Sequence, residues 1–567
     1  MDQFAETLDK IGSFGKYQVF ICGLLAFSTV PNGFLVMAPV FTQNTPQHYC
    51  RIPQLEKLAT QQNISRDSTE YQTWLDFSLP LEKNKEGVFA KSQCKRYSDI
   101  GFTWNGTSAI PMHTNNSNRV ILDCNHGWVY EGDRTTLATE WDIVCDDAWL
   151  LPLTTTLYMI GFLIGSFISG IFSDRYGRRP TFLLGTVAMY ACIGLNSFSV
   201  NIYMYMATFF GCGVTALINY MAAFVLASEI IHVSKRSLIG SLETTGFSVG
   251  YMVLVPAAYL ITDWQWLVRI QVIFGVIFIP YYWWLPESPL WLMCSGKVEE
   301  AMVIMRKIAK INGKTIEDDD LKKSLLLVKS DEKEKPQEKA VQKFTYLDML
   351  KHSSIRKRSL VMFYIWFMVS MVYYCISLNT SNLGGNKFIN CFVAAAVEIP
   401  SYVLSCFSLE LVGRRCVLSL FLCISAITLG ISPFLKAVSE TLMIAGAMTS
   451  KFFISACFNI SYLFCGELFP TLMRNMSIGA SSTAARVGSI ASPYLIFLGQ
   501  QTNFYSPYLI MASFGLSAAG LCLLLPETKS IPLPETMEDA EELERYTICC
   551  SSRSRKNMPT TCQSSAV

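Results

Sequence analysis

Charge is scarce in this chain. Lys, Arg, Asp and Glu supply only 16% of its 567 residues while 51% are apolar, too little polar surface for a soluble protein of this length. Chemistry-bearing motifs are scarcer still. The five histidines are scattered, with no Cys-x-x-Cys pair and no His-Glu-x-x-His helix to hold a metal. Nothing resembles a nucleophile elbow or a phosphate-binding loop. Those absences argue against an enzyme, a resident cofactor and a nucleic-acid partner. A net charge of +2 carries no information about partners.

Long apolar runs are present instead. A helix needs about 20 apolar residues to cross the ~30 Å hydrocarbon core of a bilayer. Twelve such windows occur, at 17–41, 149–173, 181–199, 203–228, 237–262 and 266–285, then at 358–378, 389–409, 416–434, 441–465, 476–498 and 506–525. The chain reads as an all-α membrane protein. Basic residues in short loops are retained on the cytoplasmic side. Arg175, Arg178 and Arg179, then Lys235 and Arg236, then Arg414 and Arg415, then Arg474 all follow even-numbered windows. Both termini are therefore expected in the cytoplasm. The first window has no basic leader and no cleavage site, and reads as a retained helix.

The charged punctuation between windows occurs twice. Asp174-Arg175-Tyr176-Gly177-Arg178-Arg179 returns as Glu410-Leu411-Val412-Gly413-Arg414-Arg415 at an offset of 236 residues. Glu229 with Arg236 returns as Glu467 with Arg474 at 238, and Pro286-Glu287-Ser288 as Pro526-Glu527-Thr528 at 240. One six-helix half has been duplicated. Charge at a helix end must find a partner or water, so Asp174, Arg178, Glu229, Arg236, Glu410, Arg414, Glu467 and Arg474 are candidate gating residues that pair in one state and separate in another. Plain anchoring of helix ends by Arg is the competing reading.

Two polar insertions organise the remainder. Residues 1–16 precede the first span (17–42), and an extracellular segment at 43–148 precedes the spans of 149–286. A charged linker at 287–357 precedes the spans of 358–525, and a tail at 526–567 follows them. Cys50, Cys94, Cys124 and Cys145 form an even set in the extracellular segment, with three pairings open. Asn63, Asn105 and Asn115 head glycan-acceptor triplets there, whereas the triplet at Asn475 falls on the cytoplasmic side and should stay bare. Ser565-Ala566-Val567 suits strand addition to a PDZ-domain partner. Cys549-Cys550, cytoplasmic and near the bilayer, is a candidate palmitoylation site.

Inside the spans, Arg486 stands alone in the eleventh window, where an unpaired cation is costly, so it must face the bundle interior or a wet cavity and wants an anionic partner. Lys451 in the tenth is a second intramembrane cation, either a helper or paired with Glu398. A quaternary ammonium is recognised by aromatic faces, and the seventh window supplies Tyr364, Trp366, Tyr373 and Tyr374. Trp366 and Tyr373, seven residues apart, share a helix face. Asn32 and Asn219 offer neutral oxygen ligands to a hard cation, or else serve the ordinary interhelical amide hydrogen bonding of Asn in a bundle.

The repeat and several longer runs resemble a known family. The cysteine-containing first loop, Leu285-Pro286-Glu287-Ser288-Pro289-Leu290-Trp291-Leu292, Glu467-Leu468-Phe469-Pro470-Thr471 and Leu525-Pro526-Glu527-Thr528 resemble the organic cation, anion and zwitterion transporters of the major facilitator superfamily. Val30-Pro31-Asn32-Gly33-Phe34, Asn219 to Leu226, Gly250-Tyr251-Met252-Val253-Leu254 and Ser481 to Ile490 are similar to the carnitine and ergothioneine branch. The resemblance implies the major facilitator fold, twelve helices in two six-helix pseudo-repeats with the substrate site between them. It assigns Arg486 to a substrate carboxylate, and it favours sodium at Asn32 and Asn219 as coupling ion. The expected activity is plasma-membrane transport of carnitine-like zwitterions and organic cations by alternating access. Sodium-independent organic cation or ergothioneine transport, and a non-transporting receptor, are the alternatives. Leu290 replaces the family's usual Arg, the Gly-rich stretch some members carry after the fourth span reads Ala227-Ser228-Glu229, and Glu243 stands where close relatives have a small residue. Glu243 either binds a cation or faces the cytoplasmic vestibule.

Overall fold

Helices α1 to α6 run Lys16–Thr42, Leu150–Tyr176, Arg178–Ser197, Ile202–Ile230, Arg236–Leu260 and Trp264–Trp284. Helices α7 to α12 run Ser353–Leu378, Lys387–Leu411, Arg414–Leu435, Glu440–Leu468, Arg474–Gln501 and Ser506–Cys522. The computed structural model describes residues 8, 11–12, 14–83, 89–98, 102–104, 109–111, 120–232, 235–314, 348–470, 473–529, 531, 534 and 539. Among these, eight helices are long and apolar enough to cross a membrane: α1, α2, α4, α6, α7, α8, α9 and α10. Asn105, Asn115 and the tail from 540 onward lie outside the described residues, as do the side chains of Arg236 and Asn475.

Local chemistry shapes the first helix. Ser28 and Thr29 donate their hydroxyls back to the Leu25 and Ala26 carbonyls at 2.6 and 2.7 Å, and Pro31 follows, so the regular ladder is interrupted there. Past that break α1 presses against α5. A Cβ on Gly250 would lie 1.9 Å from the Val30 carbonyl oxygen, and one on Gly33 would lie 1.9 Å from that of Phe247. Only glycine permits this approach.

Each six-helix unit packs mainly on itself: α4 lies against α2 and α3 in the first, while α7 lies against α11 and α9 against α10 and α12 in the second. The halves meet through α2 with α11 and α5 with α8. Their shared contacts lie at mid-depth or toward the end that carries residues 43–148, called the loop end below; the opposite end is the motif end. Thr156 donates to the Ile490 carbonyl at 3.3 Å, Tyr251 to that of Ser377 at 3.2 Å, and the Phe41 and Phe388 rings stack 5.4 Å apart. The linker helix Val298–Ile311 docks on the first half, and Asn312 just beyond it accepts from the Tyr17 amide at 3.1 Å.

The loop segment folds on a small core of Ile52, Leu55, Tyr71, Trp74, Leu75 and Leu79 around Cys50. Its disulfides join Cys50 to Cys124 and Cys94 to Cys145, resolving the open pairing. Arg134 fastens it to the bundle by donating to the Ala258 and Ile261 carbonyls at 2.6 and 3.2 Å, with its guanidinium over the Phe388 ring. Glu140 accepts from the Trp264 indole and from Gln265.

Because that core is built around Cys50, Cys50→Ser is expected to reduce delivery of folded protein to the cell surface while leaving substrate selectivity of the delivered molecules unchanged. Peptide mapping without reductant should recover the two linked pairs above. Normal surface delivery of the Ser variant would contradict this.

Candidate functional site

The duplicated motifs build two matching clusters at the motif end. Arg178, the first residue of α3, donates Nε to Glu229 Oε1 and Oε2 at 3.1 and 3.0 Å, and Nη2 to Oε1 at 2.9 Å. Its Nη1 reaches Asp174 Oδ1 at 3.0 Å. Arg414 repeats the geometry with Glu467, at 3.3, 3.0 and 3.1 Å. Glu287 Oε1 accepts the Arg178 and Arg179 amides at 2.9 and 3.1 Å, and Glu527 accepts those of Arg414 and Arg415 at 2.8 and 3.1 Å. A carboxylate at a helix N-terminus satisfies orphan N–H groups and the positive end of the dipole. Gly177 and Gly413 precede these helices at φ 108° and 119°, a backbone region costly for residues with a Cβ.

Both clusters close within a half. Two pairings expected from the sequence need correction. Glu467 is engaged by Arg414 and by the Thr528 hydroxyl at 2.6 Å, leaving Arg474 Nε and Nη2 buried without partners. Glu410 is exposed, and Arg414 Nη1 turns to the Leu409 carbonyl at 3.3 Å. The sequence signal for Glu287 and Glu527 was their repetition; their capping role needed the fold.

At mid-depth two buried cations have different surroundings. Lys451 is fully enclosed and pairs with Glu398 at 2.8 Å, donates to Ser377, and lies 3.2 Å from the Tyr373 ring centre. Its three donor directions are occupied, so its place among the substrate ligands is corrected to a structural one. Glu398 also accepts from the Tyr373 hydroxyl at 2.8 Å and, across the halves, from Ser248 at 2.5 Å.

Arg486 has no carboxylate partner among the described residues; its side-chain hydrogen-bonding contact is with Tyr374. It is 5% exposed, its Nε makes no hydrogen bond, and its guanidinium carbon lies 4.4 Å from the centre of the Phe162 ring in the opposite half. Tyr158, Tyr220, Tyr374 and Tyr462 stand within electrostatic reach of it. Of the aromatics expected from α7, Tyr374 joins this group and meets Tyr373 edge-on at 5.1 Å. Trp366 packs on Tyr462 at 4.4 Å and on Phe458 at 6.2 Å. Tyr364 does not join: its hydroxyl bonds Ser517 of α12 at 2.6 Å. Phe162, Tyr158, Tyr220, Phe458 and Tyr462 were not anticipated. Tyr462 and Phe458 could have been found from their four-residue spacing on the helix that carries Lys451.

Asn32 donates Nδ2 to Asn219 Oδ1 at 3.0 Å, and Asn219 Nδ2 donates to Thr186 at 2.7 Å. The two amides meet, and Asn32 Oδ1 is a buried acceptor without a donor. Such an oxygen fits a hard monovalent cation.

A cavity of about 640 Å³ opens at the loop end between the halves, lined by Gln43, His48, Asp146, Thr155, Phe497 and Gln500 among others. Burial lowers the pKa of His48, partly offset by its Nδ1 contact to the Pro46 carbonyl at 3.0 Å. His48 with Cys94 and Cys145 has metal-like spacing, but both sulfurs are spent in their disulfide.

Removing one member of a buried ion pair costs about 3–5 kcal/mol, because the other charge is stranded. Lys451→Met should therefore lower the thermal midpoint of the detergent-purified protein sharply, and adding Glu398→Gln should recover a large part of the loss. A double variant as unstable as the two single losses added together would contradict the pairing.

Comparison with known proteins identifies the family and the fold. The profile of the family described as "Sugar (and other) transporter" matches residues 106–540. Organic cation/carnitine transporter 2 of Mus musculus is 35% identical over the whole of both chains, and that of Homo sapiens is 36% identical over 95% of this chain and 94% of its own. The organic cation transporter protein of Drosophila melanogaster is 34% identical over 95% of this chain and 94% of its own. The inward-open xylose transporter XylE from E. coli superposes with a TM-score of 0.57 at 18% identity, covering 72% of this chain and 93% of its own. XylE bound to a bromodeoxyglucose superposes at 0.56 and 16% identity, covering 93% and 98%. The protein is a helical membrane transporter of the major facilitator fold, not an enzyme, and it belongs to the organic cation/carnitine transporter family.

Proposed function

We propose that this transporter moves small zwitterions of carnitine type, carrying a carboxylate and a quaternary ammonium, across the plasma membrane by alternating access. The observation that carries the reading is Arg486: a buried guanidinium at the boundary between halves, ringed by aromatic groups and lacking a hydrogen bond at Nε. Guanidinium offers a carboxylate two parallel charge-assisted hydrogen bonds. The ammonium, which cannot donate, is then left to the aromatic faces of Tyr374, Tyr462 and Trp366. A simple organic cation would find the Arg486 charge repulsive. That favours the zwitterion, as do relatives whose names join organic cations with carnitine.

Sodium coupling belongs to the same proposal. Asn32 Oδ1, buried without a donor beside Asn219, supports a sodium ion bound in the first half next to the substrate. The Arg178–Glu229 and Arg414–Glu467 clusters would hold each half rigid while the halves rock against each other. An extracellular loop end is supported by its disulfides and by Asn63, exposed at a helix C-terminus where a glycan has room. The tail's PDZ partner is proposed from sequence alone.

Uptake of labelled L-carnitine into proteoliposomes, with and without sodium and with tetraethylammonium as competitor, tests the reading. Arg486→Ala should abolish carnitine uptake, a loss of about 100-fold or more if two charge-assisted hydrogen bonds vanish, with surface expression retained. Carnitine uptake by Arg486→Ala equal to the parent's would remove the substrate assignment.

A further inference from the structure

Glu243 is a second buried charge site that the substrate reading leaves unused. It lies on α5 about 10 Å inside the helix's motif end, at 1.5 Å of rise per residue. It is 1% exposed, and neither carboxyl oxygen has a hydrogen-bond partner. Among the described side chains, the titratable groups within electrostatic reach of it on α1 and α4 are a thiol, Cys22, and a phenol, Tyr220. The Thr29 hydroxyl of α1 donates to the Glu243 backbone carbonyl at 3.0 Å and not to the carboxyl. From α8 come Glu398 and Tyr402, at the level of Ser248, with Glu398 already paired to Lys451.

Toward the loop end α5 is packed closely on α1. One turn above Glu243, a Cβ on Gly246 would lie 2.3 Å from Thr29 Oγ1 and 2.4 Å from the Ala26 carbonyl oxygen, and Gly250 continues the seam against Val30. Helices packed this closely leave no water path along the α1–α5 seam on the loop-end side of Glu243. A bare negative charge in such an enclosure is strongly unfavourable. Both oxygens are walled in, which leaves no room for an ammonium of carnitine size. A proton needs none. Tyr220 lies within electrostatic reach of Arg486 as well as Glu243, so a charge arriving at the first site is felt at the second.

We propose that Glu243 is a proton-binding site coupled to transport, holding a proton in this conformation and releasing it to the opposite compartment when the halves change position. It is separate from the amide pair offered to sodium. The proposal extends the substrate reading through Tyr220, yet the proton itself is measurable without any substrate.

Full-length protein in liposomes, compared with Glu243→Gln and Glu243→Asp, provides the test. The infrared spectrum of the parent should contain a protonated-carboxyl band that disappears as pH is raised; the band should be missing in Glu243→Gln and shifted in Glu243→Asp. In sodium-free buffer, a gradient of one pH unit should change L-carnitine accumulation by about tenfold for one coupled proton, and Glu243→Gln should lose that response while retaining exchange of carnitine down its gradient. A parent without the band, or with gradient-insensitive uptake, overturns the proposal. A band removed at constant pH by tetraethylammonium would also overturn it, replacing the proton with an organic cation. If the band is present but neither carnitine nor tetraethylammonium is transported, the substrate reading fails while the proton stays on Glu243.

Discussion

A charge in the membrane interior must be paired, solvated or neutralised, and the inner architecture of this protein follows from how each charge meets that demand. Lys451 meets it through Glu398, Ser377 and the Tyr373 ring. Arg178 and Arg414 meet it through bidentate bonds to Glu229 and Glu467. Among the described residues of the spans, Arg486 has no carboxylate partner and keeps an unbonded Nε, and Glu243 has no hydrogen-bond partner on either carboxyl oxygen. Those two sites are where something from outside the fold is required, and Tyr220 lies within reach of both.

Duplication explains why the structural charges come in matched sets. Each half carries a glycine in the left-handed region, an Arg opening the next helix, a Glu on the following helix and a capping Glu from the end of the half. Such a cluster ties three separated segments of one half together, which lets a half move as a body. The residues proposed for substrate and sodium break the symmetry: Arg486 belongs to the second half, Asn32 and Asn219 to the first. A site between two rigid bodies can then be opened to one side or the other by a change at their contact, here carried by Ser248 with Glu398, Thr156 with Ile490 and Tyr251 with Ser377.

Much of this was legible in the sequence for a physical reason. Hydrocarbon thickness imposes a length and a composition on each crossing, and charge is costly enough there that a lone Arg486 stands out in a string of letters. The repeat offset exposed the duplication, and with it the equivalence of Glu287 and Glu527. What stayed hidden was rotational setting. Tyr364 and Trp366 both belong to α7, yet one turns to α12 and the other to α10. Helical period fixes only their relative angle, and packing fixes the absolute one. The same limit concealed Phe162, Tyr158 and Tyr220, contributed by α2 and α4 of the other half. Arg474 was matched with Glu467 by proximity in sequence, but Glu467 is held by Arg414, 53 residues away. The disulfide pairing was open because four cysteines allow three solutions until a fold brings two of them together.

The central claim is that Arg486 lacks a carboxylate partner within the fold because a substrate carboxylate supplies one. A structure of the protein in lipid nanodiscs with L-carnitine bound tests this most directly. The account predicts the carboxylate within hydrogen-bond distance of the Arg486 guanidinium and the trimethylammonium group against the faces of Tyr374, Tyr462 or Trp366. Carnitine seated only in the loop-end cavity beside His48 and Gln500, with Arg486 still surrounded only by Phe162 and its neighbouring tyrosines, would contradict it.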